Sequence, residues 1–404
     1  MTNNFFYIAQ YFTPEPYLKD IQFIKDIKGK GWEPVVITGF PNYPKGIIYK
    51  GYSNKFFAEE MMDGVRVIRV YTYADHSLNA FKRALNYFVF ALFASIAIFK
   101  FGKKESFYYI LQSSPFVVLC AWTVNVCKKK SKTLLDIQDV FPENIRISGY
   151  VKSTWIISLL DFFLNNFYYK SFDLFVTVSE SFRNIIAKKN IGLRRILTLY
   201  NWSMVEKSSA APSVIDFSFP NSGINIVYAG NIGVHQGIST LFQGMFNVIE
   251  NNPKIHFHLF GDGTDFEILK SLVKQNENII LHGRVSTTEI GKYLEAADVL
   301  FLHLIKDPIY ESIIPSKLQA YIEVGKPILG GVEGEARNLI TENRLGQVFE
   351  PQNIIDFQNA ALKISDLKID DIREIKQRSA KLYSEKFSRK AGIDRLEKFI
   401  KNYL

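Results

Sequence analysis

The sequence predicts an α/β chain of two domains, each built on a parallel sheet. Three observations carry this. Short apolar runs of strand length alternate with helical segments from the first residues onward, and strand, helix, strand in that order makes a parallel βαβ unit. Residues 205–222 have linker composition, and the same alternation restarts at Ile224. A chain of 404 residues is also too long for one core.

In the first half, Phe5–Gln10 is a strand closed by Tyr11-Phe12-Thr-Pro14-Glu15-Pro16, and a helix is expected from about Tyr17 to Lys30. Glu33–Thr38 is the next strand, followed by the turn-rich loop Gly39-Phe-Pro-Asn42-Tyr43-Pro-Lys45-Gly46. That loop lies at a strand's C-terminal end, where open α/β sheets bind ligands. Gly64–Val70 alternates as a strand. The uncharged run Ala84–Phe99, flanked by Lys82, Arg83 and Lys100, is shorter than the ~20 residues a spanning helix needs. It reads as a buried core helix or as one lying in a membrane interface. Phe107–Gln112 and Thr133–Gln138 are strands, the second ending in Asp139-Val-Phe-Pro142-Glu143. An aromatic helix over Trp155–Lys170, a strand over Leu174–Ser179 and a helix over Ser181–Lys189 complete this half.

In the second half, Ile224–Ala229 is a strand running into the glycine-rich turn Gly230-Asn231-Ile-Gly233-Val-His-Gln236-Gly237, with a helix from about Ile238. Later strands run into Gly261-Asp-Gly263, Gly283-Arg284 and, after Ala297–Leu302, a loop ending in Ser312-Ile-Ile-Pro315-Ser316-Lys317. Pro315 and Ser316 open a helix that Gly325 stops and Pro327 cannot continue. A helix start offers unpaired N–H groups and a positive dipole end, which suits a diphosphate. Lys317 in the first turn fits an arriving anion or an ordinary surface position. The strand up to Gly330 leads to Glu333 and Glu335, and the last helix is amphipathic, Ser388–Tyr403.

Composition narrows the class. Apolar residues make up 47% and charged ones 22%, as in a globular protein. Cys120 and Cys127 form neither a metal-ligand pattern nor a disulfide framework, which suits a reducing compartment. Met1-Thr-Asn-Asn leads straight into an apolar strand, as expected of a chain without a leader. The net charge of +9 is uneven: residues 1–200 hold 26 basic and 15 acidic residues, residues 201–404 hold 23 and 25. In the first half the cations are interleaved with Phe, Tyr and Trp, a combination that suits an anionic membrane surface better than nucleic acid.

Glycines at one strand edge let a charged or flat ligand approach the backbone. Gly261-Asp-Gly263 lacks the third glycine of a dinucleotide fingerprint and Gly230-x-x-Gly233 has the wrong spacing, so a dehydrogenase is disfavoured. There is no Walker lysine motif and no His/Cys metal set, and His256 and His258 read as structural. No metal and no cofactor is expected.

Tyr11-Phe12-Thr-Pro14-Glu15, Thr38-Gly-Phe-Pro41-Asn42-Tyr43-Pro44, Asp139-Val-Phe-Pro142-Glu143, Gly261-Asp-Gly263 and Pro315-Ser-Lys317 with Gly325-Lys-Pro327 together resemble a retaining GT-B glycosyltransferase of family four. The subgroup most similar contains bacterial L-fucosamine (N-acetylfucosamine) transferases of O-antigen and capsule assembly. The resemblance covers nearly the whole chain. It implies two Rossmann-like domains facing across a cleft: an acceptor domain over 1–204, a linker over 205–222, a nucleotide-sugar domain over 223–386, and a C-terminal helix, 387–404, returning to the first.

By the same resemblance, a sugar moves with retention from a nucleotide diphosphate, UDP, to a lipid-linked (polyprenyl diphosphate) saccharide. The chain would sit on the inner face of a bacterial cytoplasmic membrane without spanning it, and nucleic acid is not a partner. Gly230, Asn231, Gly233, Gln236, Gly261, Gly263, Arg284, Pro315, Ser316 and Glu333 are expected on the donor. Tyr11, Asn42, Tyr43 and Glu143 fall on the acceptor, and Lys317, Glu335 and Asp139 on the chemistry. The departures are specific. The family's Glu-x7-Glu pair falls on Ser312 and Ala320, with Glu311 one place off, and its usual phosphate cations fall on Asn231 and Gln236. A catalytically silent GT-B binding protein is the alternative, and a sugar-nucleotide epimerase is disfavoured by the basic aromatic first half.

Overall fold

Strand β1, Asn4–Ala9, is buried at every residue. A central parallel strand is covered on both faces, so it reads as an unbroken apolar run. The computed structural model describes residues 3–75, 79–141, 154–203, 219, 223–273, 276–286 and 289–404. The chain divides into two units, Met1–Leu199 with Ile393–Leu404, and Tyr200–Gly392.

In the first unit β1 is joined by β2 (Glu33–Gly39), β3 (Phe57–Met62), β4 (Val65–Val70), β5 (Phe107–Leu111), β6 (Lys132–Ile137), β7 (Leu174–Thr177) and β8 (Ile196–Thr198). Their order across the sheet is β3-β4-β2-β1-β5-β6-β7-β8. All pairings are parallel except β3 with β4. Strand β3 was not expected from sequence. Asp63 and Gly64 turn with φ of 48° and 74°, the pair of positive values a two-residue hairpin requires and Asp-Gly supplies.

Several helices differ from expectation. The first begins at Ile21, because Asp20 caps it by accepting from the Gln22 and Phe23 N–H groups. The aromatic helix is α-helical over Thr154–Phe163, then widens to a π turn over Leu164–Tyr168 and tightens at Tyr169–Ser171. The helix around the uncharged run spans Ala80–Phe101, 22 residues, because Asn79 caps it early and all three flanking cations are helical. By length and composition it could cross a membrane, with 39% of its most apolar window buried within the protein. Its buried side is Asn86, Phe90, Ala91, Ala94, Ser95, Ala97 and Ile98. Phe81, Phe88, Leu92, Ile96 and Phe99 are exposed.

The second unit is a six-stranded sheet, in which β9 (Ile224–Ala229), β10 (Ile255–Phe260), β11 (Ile279–Gly283), β12 (Val299–His303), β13 (Ile328–Gly331) and β14 (Gly346–Phe349) lie in the order β11-β10-β9-β12-β13-β14. Every pairing is parallel. Two apolar clusters cover its two faces: Val227, Leu300, Leu318 and Ile340 lie in one, Ile226, Met245, Phe257 and Phe357 in the other. After Gly237 the chain first makes a 3-10 turn, Ile238–Leu241, and only then the helix Phe242–Asn251. His258 is buried and lies 3.0 Å from His282 and 3.2 Å from Asn225, so it is part of the packed sheet.

Candidate active site

The carboxyl edge of the second sheet gathers most of the glycines singled out in the sequence. Gly230 N–H donates to Phe260 O at 2.9 Å, and Gly261 N–H to Gly283 O at 2.7 Å, so the strand ends stay zipped beyond β9 and β10. Gly261 has φ of 141°, and a Cβ there would overlap the Gly230 carbonyl. Only glycine permits that approach. Ile232 N–H donates to Asp262 O at 2.9 Å and Asp265 N–H to Ile232 O at 3.0 Å. The turn carrying Asn231 and Gly233 is thereby stitched to the turn carrying Gly263. Among the turn's own N–H groups, that of Gln236 donates to Gly233 O at 3.0 Å. Asn231 and Gln236 bond each other side chain to side chain at 2.8 Å. Neither brings a charge.

The helix Ser316–Val324 also reaches this edge. Pro315 precedes it with φ of −61°, and Gly325 ends it with φ of 78°. Tyr321 locks it down: its hydroxyl accepts from Ala229 N–H at 3.2 Å and donates to Phe301 O at 3.1 Å. Ser316 stays exposed at the helix start. Lys317 turns back toward β9, and a Cβ at Gly230 would overlap its Cε. Its ammonium donates to the Tyr228 hydroxyl and lies 4.1 Å from the centre of that ring. Tyr228 donates in turn to Asn231 O. Burial pushes the Lys317 ammonium down to about 7, because a cation loses water there without gaining a carboxylate.

His303, at the end of β12, is buried. Its Nε2 accepts from Gln352 N–H at 3.0 Å, so its Nδ1 carries the proton and donates to Gln236 O at 2.6 Å. Burial holds it down at about 4. It is a neutral strut under the glycine turn. Arg284 follows Gly283 and is exposed. Glu333 stands at the N-cap position of the helix Gly334–Glu342 without a side-chain capping bond, with Lys306 at 4.0 Å, and Glu335 lies in that helix's first turn. Gly334, with φ of 57°, lies against the Glu311 backbone, which seats the loop before Ser312 on this helix start. Ala320 is 6% exposed and packs in the apolar cluster, so it offers nothing to a ligand.

In the first unit, Tyr11 and Tyr43 come together, ring centres 5.2 Å apart, with Tyr17 6.1 Å from Tyr11. Asn42 differs from expectation. It is fully buried and its side chain donates to Phe40 O at 2.8 Å, so it shapes the loop from within. Asp139 is exposed just past β6. Glu143 lies outside the described residues. Behind these loops, Asp136 is buried with Lys19 as its ion-pair partner, and accepts from Tyr109 at 2.5 Å and Gln138 at 2.7 Å. Among the described residues no group of three or more His, Cys, Asp or Glu is placed to hold a metal ion.

Residues 223–366 match the family model described as glycosyl transferases group 1. The chain is 27% identical over 250 residues to "Probable glycosyltransferase WbjE" of Pseudomonas aeruginosa, a match covering 60% of this chain and 62% of that protein. The matched segment thus spans less than two thirds of that relative. Among solved structures, HepE of Anabaena in complex with UDP matches with a TM-score of 0.63 at 12% identity, over 99% of this chain and 100% of that one. A glycosyltransferase from Rickettsia africae matches at 0.67 and 14% identity, over 98% of each chain. A trehalose-6-phosphate protein from E. coli, bound with UDP-2-fluoro glucose, matches at 0.70 and 9% identity, over 99% and 98%. The chain has the GT-B fold, and the glycosyl transferases group 1 match lies within its second unit.

Proposed function

We propose that the chain is a retaining glycosyltransferase that moves a sugar from a uridine diphosphate donor to a lipid-linked saccharide. The observation that carries this reading is the family match lying over the strand edge where Gly230, Gly261 and Lys317 meet. Close backbone, a cation and a helix start suit a diphosphate. Charge builds on the departing diphosphate while the sugar becomes oxocarbenium-like, so positioned donors are the main lever and no side-chain nucleophile is required. The leaving phosphate can take the acceptor's proton on the same face, which preserves the anomeric configuration. Glu333 and Glu335 are assigned to sugar or ribose hydroxyls, Asp139 and the Tyr11–Tyr43 pair to the acceptor. The test is UDP release with a panel of UDP-sugars and a bacterial membrane extract, with UDP-N-acetyl-L-fucosamine and related 6-deoxy amino sugars first. No release with any donor would leave the catalytically silent reading, which the uncharged Asn231–Gln236 pair and the buried Ala320 favour.

The first unit is assigned to an anionic membrane surface on the cytoplasmic side, without spanning it. Phe88, Leu92, Ile96 and Phe99 are exposed on one long helix whose other side is core, with Lys100 and Lys128 beside them, the latter donating to Phe99 O. Basic residues near an anionic surface contribute about 1 kcal/mol each before screening. Co-sedimentation with phosphatidylglycerol vesicles that weakens as salt rises is the expected result. Indifference to such vesicles at low salt would exclude it.

A further inference from the structure

Lys317 is held by a phenol. Its ammonium bonds Tyr228 and lies over that ring, and among the described residues it has no carboxylate within ion-pair distance. Among the described residues, Tyr228 from β9 bonds it, His303 from β12 feels its charge and Tyr321 from its own helix stands beside Tyr228, and none of the three supplies a negative charge at neutral pH. The Tyr228 proton is committed to Asn231 O, so the phenol oxygen can only accept from Lys317. The site holds the lysine in place, and among the described residues none opposes its charge.

We propose that Lys317 and Tyr228 form a proton-linked anion subsite, in which the amine takes a proton from solvent as a diphosphate arrives over Gly230. The inference rests on the donor reading above and adds to it. Before a diphosphate arrives the cation is poorly solvated, and burial favours the neutral amine. A diphosphate supplies the missing opposite charge within reach of the same nitrogen, which favours the ammonium. Binding and protonation are then linked, each strengthening the other. The amine's lone pair accepts the proton, the buffer acid loses it, and nothing else changes. Tyr228 fixes the nitrogen's position in both states, which makes it a positioning residue.

The probe is UDP itself, titrated calorimetrically into the full chain at pH 8 in HEPES and in Tris, buffers with different ionisation heats. At this pH the UDP terminal phosphate, with its second pKa near ~6, is already ionised and takes up nothing. The expected result is uptake of about one proton per UDP bound, read from the difference between buffers. Lys317→Arg, which keeps a permanent charge, is expected to bind UDP with that uptake abolished. Tyr228→Phe should retain the fold by circular dichroism and bind UDP several-fold more weakly. UDP binding without proton uptake in the wild type overturns the inference and leaves the donor reading standing. Unchanged uptake in Lys317→Arg overturns it too, by placing the proton elsewhere. Absence of any UDP binding overturns both.

Discussion

One carboxylate oxygen of Glu15 accepts the backbone N–H groups of both Asn42 and Tyr43, each at 2.7 Å. Its other oxygen accepts from Phe12 N–H at 3.0 Å. A single buried side chain thus joins the loop after β1 to the loop after β2, and sets where Tyr11 and Tyr43 meet. Burial raises its pKa, and the three N–H groups and Arg69 pull the other way. Glu15→Ala should cost about 2–3 kcal/mol, since three backbone donors, two of them buried, lose a charged acceptor. Urea unfolding followed by tyrosine fluorescence measures it, and a loss under ~0.5 kcal/mol would mean water replaces the carboxylate.

Lys317→Ala removes the cation nearest the glycine edge of the second sheet. Turnover should fall by about 2–4 kcal/mol in activation free energy, with little change in melting temperature. Equal turnover would pass the role to Arg284, whose substitution is the next measurement.

Gly261→Ala places a methyl group on the Gly230 carbonyl at a φ that side chains rarely adopt. The strand ends must part, at a cost of about 1–3 kcal/mol. UDP affinity should drop with stability, because the same backbone would face the diphosphate. Wild-type affinity in a destabilised variant would separate the fold from the site.

Three histidines make the fold acid-sensitive. Burial holds His258 at about 3, and His282 and His303 at about 4, below the ordinary value near ~6.5. The unfolded chain therefore binds more protons between these limits, and stability present above pH ~6.5 is lost as pH falls toward ~4. Melting temperature should decline steadily through that window. His303→Gln should flatten part of the decline, and a flat profile in the wild type would contradict neutral states for these three rings.

The alternation that predicts the two parallel sheets was legible because buried parallel strands carry their own signature, as β1 and β9 show. The helix Ser316–Val324 was legible from Pro315 and Gly325, one at each end. Strand β3 was missed although Asp63-Gly64 marked the hairpin, since Phe57–Met62 carries Glu59 and Glu60 and lacks an apolar run. The 22-residue helix exceeds its uncharged run because Asn79 and Gly102 bound it, and the charges at its ends do not. At the site, Lys317 was found by its place in a helix start, but its partner was not. Tyr228 sits in an apolar strand where any aromatic residue reads as core, and only the fold puts its hydroxyl under Lys317. Asn42 erred the other way: a polar residue in a loop looked available and is instead spent on Phe40 O.

The first unit is discontinuous in the chain: residues 1–199 are completed by 393–404, with Lys30 on Asp394 at 2.5 Å and the Tyr403 hydroxyl on Arg194 O. During synthesis the ribosome must therefore release the entire intervening unit before the first can close. The first-made half emerges with its exposed Phe88, Leu92 and Ile96 while its final helix is still unwritten. At roughly 5–20 residues per second, the 193 residues from 200 to 392 hold it unfinished for about ten seconds or more. For that interval the nascent chain is a candidate client for chaperones or for the bilayer itself, and a stop codon after Gly392 would make the interval permanent.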